Sequence, residues 1–93
     1  MNIEEYEQLK AFRDVITSTM DGLRHAGSQG ALAAAADAAA ERWDPLDADF
    51  ARVLRDIRSQ AWSMPLQQIR PVVEAVVAHL EAQVAAIDSQ MDA

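Results

Sequence analysis

Between Pro65 and Met91 the larger apolar residues fall at Leu66, Ile69, Val73, Val76, Leu80, Val84, Ile87 and Met91. Steps of three and four without a break are the signature of one helix with an apolar stripe along its length. At 1.5 Å per residue such a helix reaches roughly 40 Å. Nothing else in the chain is as long or as regular, so other helices, or a second copy, are expected to pack along it. Val72-Val73 and Val76-Val77 widen its apolar face, and from Leu80 the stripe narrows towards a coiled-coil seam. Pro71 removes one backbone donor and is expected to kink the helix.

The preceding sequence divides at turn and capping residues. Asn2 and Glu5 have the spacing of a capping box, and Glu4, Glu5 and Glu7 favour the positive end of a helix dipole. The stripe Ile3, Tyr6, Leu9, Phe12, Ile16, Met20 and Leu23 then predicts a helix over about 3–26, with Gly27 suited to a left-handed C-terminal position. Gly27-Ser28-Gln29-Gly30 reads as a four-residue link. A second helix is expected over 31–43; it is nearly all alanine, with Leu32, Ala36, Ala39 and Trp43 on one face, small enough for a close neighbour. Asp44-Pro45 reads as N-cap and first helical residue of a third helix over 45–62. Its expected core stripe is Leu46, Phe50, Val53, Ile57 and Ala61, with Leu54 alongside. Ser63-Met64-Pro65 marks the last boundary, before a helix over 65–91.

The predicted architecture is all-α: a single domain over 1–93, a small elongated bundle of three to four helices with short connections and a long kinked C-terminal helix. Helices two and three could instead form one Pro-bent rod. Nineteen of the apolar residues are alanine, so the 51 % hydrophobic content exaggerates the core. Narrow stripes on a thin bundle suggest that a partner covers part of the apolar surface.

The chemistry available is sparse. With no cysteine there is no thiol nucleophile, disulfide or cysteine zinc site, and a reducing, cytoplasmic setting fits. The only histidines, His25 and His79, form no metal-binding spacing. Asp44, Asp47 and Asp49 lack the glycine and the terminal Glu of a calcium loop, and helix capping accounts for Asp44 and Asp47. No phosphate-binding glycine loop or serine-nucleophile motif is present. A net charge of −7 opposes binding to nucleic acid or anionic lipid. Arg52, Arg55 and Arg58 are interleaved with Asp49 and Asp56, as on a self-paired solvated face. No apolar run is long enough to span a membrane. The expectation is therefore a non-enzymatic protein without metal or cofactor.

Trp43, Trp62 and Met64 lie beside predicted helix boundaries, where tryptophan either seals a corner or anchors a partner. Together with Val73, Val76, Leu80, Val84 and Ile87 they form the expected interface. The partner is expected to be a protein, with a homodimer favoured, in an adaptor, assembly-chaperone or inhibitor role. A charge at Val76 or Leu80 is expected to abolish assembly. A small-molecule or cofactor binder built in the core of an oligomeric bundle is the alternative from another class.

Trp43 in a turn between helical halves of a chain this short also resembles the WXG100 family of small exported helical hairpins. That resemblance implies dimerisation and export. The sequence has Pro45 where the family has Gly, its only tyrosine is Tyr6, and Pro65 and Pro71 fall within the second arm.

Overall fold

The computed structural model describes residues 1–92 and contains, among them, four helices and no strand. They are α1 (Ile3–His25), α2 (Gln29–Trp43), α3 (Ala48–Ser63) and α4 (Leu66–Asp92). The bundle is elongated, 46 × 21 × 19 Å. The most intimate pair is α2 with α3, followed by α1 with α4, α1 with α2 and α3 with α4. Helices two and three are thus separate rods folded against each other.

Asn2 caps α1 as its sequence predicts, accepting the Glu5 amide at 2.8 Å, but the Glu5 carboxylate meets the Asn2 side-chain amide at 3.4 Å and not its backbone N–H, so only half of the capping box forms. The first connection is shorter than the glycines suggest. Ser28 accepts the Ala31 amide at 3.1 Å and so caps α2, which begins at Gln29. Gly27 is not in the left-handed region; Ala26 closes α1 in an extended conformation and no described residue has a positive φ.

The Asp44-Pro45 reading needs correction. Asp44 remains right-handed helical at the end of α2, donating its amide to the Ala40 carbonyl, despite the bias against this before proline. Pro45, with no N–H to continue the ladder, ends α2 instead of opening α3. The Leu46 and Asp47 amides turn back to the Trp43 carbonyl at 2.9 and 2.7 Å. Asp47 is the N-cap of α3, accepting the Phe50 amide at 3.1 Å. Likewise Ser63 does not open α4: it is the last residue of α3, and its hydroxyl donates back to the Ser59 and Gln60 carbonyls. Helix α4 runs unbroken through Pro71.

The core shows how each helix is turned. Ile16, Leu23, Leu32, Leu54, Ile57, Ile69 and Leu80 are wholly buried. Alanines 33, 36, 39 and 40 of α2 and 51 and 61 of α3 are buried with them, so these two helices meet through small side chains. Helix α3 is rotated relative to the predicted stripe: Leu54 and Ala51 take the core, while Val53 is 40 % exposed and Leu46 is outside. Ile57 and Ala61 stay in the core, and the buried face of α3 is turned by about half a residue, roughly 50° of the helix wheel.

Helices α1 and α4 are antiparallel, tied by Arg13 to Asp88 at 2.7 Å and by Arg24 to Glu81. Ile3 and Tyr6 are exposed although they lie on the predicted stripe.

Candidate interaction surface

The residues expected to form an interface separate into three groups. Trp43 is 1 % exposed and belongs to the chain's own core. Its indole N–H donates to the Thr19 hydroxyl at 3.0 Å, and that hydroxyl donates to the Val15 carbonyl at 2.8 Å. The ring packs edge-on to Phe12 at 5.5 Å and tilted against Phe50 at 4.4 Å. It therefore joins α1, α2 and α3, and cannot present itself to a partner. Val73, Leu80 and Ile87 are also buried within the chain. A charge at Leu80 would destroy the monomer's core before it could report on assembly.

Val84 and Met64 are half-buried and packed against this core. Met64 extends the chain between α3 and α4, and its carbonyl accepts the Gln29 side-chain amide. Trp62 is 68 % exposed. It lies over Gly30, where an added Cβ would meet its ring at 3.9 Å, and so faces α2. Val76 is the member that lines an open apolar surface.

That surface is the groove between α3 and α4, walled by Phe50, Val53, Val72, Ala75, Val76 and His79. Val53 and Val72 are exposed side chains, and Val72 is 39 % open. The Phe50 and His79 rings lie level with each other across it, 6.1 Å apart. Val53 and Val72 enter the groove because of the rotation of α3 and the width of the valine face on α4. A single stripe drawn through each helix misses that placement; the doubled valines at 72–73 and 76–77 are the signal for it.

Charges lie elsewhere. Arg70, Glu74, Glu81 and Asp88 recur at helical spacing on the α1 side of α4, where Glu81 and Asp88 meet Arg24 and Arg13. The arginines of α3 pair mainly across to α2 and not along their own helix. Arg58 reaches Asp37 at 3.0 Å, and Arg55 holds Asp44 through two nitrogens, one at 3.1 Å. This hydrogen-bonded pair keeps the Asp44 carboxyl below its ordinary value, and Asp44 acts as an ion-pair partner instead of the expected helix cap. Only Arg52 pairs within α3, loosely, with Asp49 at 3.7 Å.

His25 caps its own helix end, its Nδ1 lying 2.9 Å from the Asp21 carbonyl. Among the described residues no three histidine or acidic side chains converge as a metal site requires. No described helix is long and apolar enough to cross a membrane. A cleft lined by Arg24, Arg70, Glu74 and Glu81 opens beside α1, but its charges already include the Arg24–Glu81 pair.

No known protein family, curated protein or solved structure matches the chain. The WXG100 comparison rests on Trp43 and chain length; four helices stand where that resemblance implies two long arms.

Proposed function

We propose that this protein is a non-enzymatic helical interaction module that engages a protein partner through the α3/α4 side. The observation that carries this is the apolar groove of Phe50, Val53, Val72, Ala75, Val76 and His79, bordered along α4 by residues without charge. Depletion of charge in the centre of a patch separates interfaces from ordinary surface better than bulk hydrophobicity does. In a chain of net charge −7, an uncharged flank on its longest helix is where a partner meets least repulsion.

The module's role is of the adaptor, assembly-chaperone or inhibitor kind, in which binding itself is the activity. A photoreactive residue placed at Val53 in the source cells is expected to give a discrete cross-linked protein band. The same residue at Glu41, outside the groove on α2, should not. Absence of any band from Val53, or equal labelling from both positions, overturns the reading.

A further inference from the structure

We infer that the occupant of the α3/α4 groove is a second copy of this chain, placed so that the two α4 helices run antiparallel about a two-fold axis near His79. This inference rests on the interaction-module reading and specifies its partner.

The first argument is charge. Two chains of net charge −7 repel unless they meet where charge is absent. On α4 the charged side chains are gathered towards α1. The flank that includes the α4 wall of the groove carries Gln68, Val72, Ala75, Ala82 and Ala86 around His79. A copy of this flank is a partner that brings no charge against it, and its alanines allow two helices to approach closely.

The second argument is symmetry. A two-fold interface is self-complementary, so each residue meets the one reflected through the axis. About His79, Val72 of one copy faces Ala86 of the other: the bulky end of each flank meets the small end of its mate. Phe50 lies level with His79 across the groove, so the same axis passes near the start of α3. Arg52 of one copy then comes beside Asp49 of the other. Within one chain this pair is long, at 3.7 Å, with side chains 75 % and 90 % exposed, so both partners are free to exchange across the axis.

The third argument is size. The flank from Gln68 to Ala86 extends about 27 Å at 1.5 Å per residue. With the α3 wall it is about 20 Å wide, taking ~10 Å per helix. Each copy would bury roughly 550 Å², for a total near the ~1,000 Å² that a specific interface needs.

The lack of cysteine makes the geometry directly testable, because a single introduced thiol reports one position. Light scattering after size exclusion should give a dimer for the wild-type chain. Val72→Lys, with unchanged circular dichroism, should weaken it at least tenfold. Under mild oxidation His79→Cys should form a disulfide dimer. Ala86→Cys alone should not, but should cross-link when mixed with Val72→Cys. Asp49→Arg and Arg52→Asp should each weaken the dimer, and the double exchange should restore it. A monomer at all concentrations overturns the inference; if Val53 still cross-links to a different protein in cells, the interaction-module reading stands, and if it labels nothing, both fall. Self-cross-linking of Ala86→Cys as efficient as that of His79→Cys means a parallel pair and overturns the geometry.

Discussion

Helix α3 has two neighbours and treats them differently. Towards α2 it presents Ala51, Leu54 and Ala61, all buried, and Arg55 and Arg58 close the outer edge onto Asp44 and Asp37. Towards α4 it presents Phe50 and Val53, leaving an apolar groove that no cross-helix ion pair among the described residues closes. One seam is filled by small side chains and bordered by charge; the other is lined by larger apolar groups and left open. The first is how a bundle finishes its own surface. The second is the face that the proposed partner would cover.

The sharpest way to break this comparison is to charge the buried line of α4. Leu80→Glu places an unpaired carboxylate in the core, costing about 3–5 kcal/mol, a large part of a small domain's stability. Circular dichroism should show loss of cooperative folding, whereas Val72→Lys, one exposed turn away from that line, should leave the helix content intact. Within the closed seam, Ala40→Leu should destabilise by about 1–3 kcal/mol through overpacking. Val53→Lys in the open seam should change monomer stability by no more than about 0.5 kcal/mol. Denaturant titration of the two variants compares the seams directly. Trp43→Phe should cost about 1–2 kcal/mol, removing the hydrogen bond to Thr19 and part of a packed ring.

The smallest effect concerns the charged border. Asp44 has a lowered folded-state pKa, so its contribution is present above the unfolded value of 3.8 and is lost as pH falls through the folded one. Asp44→Asn should therefore start from a slightly lower melting temperature and show a shallower acid-side decline. Equal slopes in the two proteins would mean that the pair with Arg55 adds nothing to the border.

Much of this was legible in the sequence because local rules and tertiary packing agree over most of the chain. The α4 stripe, the Asn2 cap of α1 and the Leu32, Ala36, Ala39 and Trp43 face of α2 all stand as read. The misreadings fall where a local preference meets a stronger constraint. Before Pro45, Asp44 stays helical because the last turn of α2 and the Arg55 pair hold it. Val53 and Leu54 are adjacent and both apolar, and only the approach of α2 decides which is buried. Thr19 lies three residues after Ile16 and four before Leu23, a core position; its bond to Trp43 spans 24 residues, which no window along the chain reveals. The groove depends on two helices' rotations at once, so neither helix alone discloses it.

The pairing of α1 with α4 bears on the order in which the chain folds. The Arg13–Asp88 contact closes a separation of 75 residues, while the pairs joining α2 to α3 span 21 and 11. Closing the longer loop costs more chain entropy, and contacts near in sequence form sooner. The alanine-lined hairpin should thus be the early structure, with the two outer helices docking onto it afterwards. Substitutions at Ala40 should then slow folding, while those at Asp88 should mainly hasten unfolding.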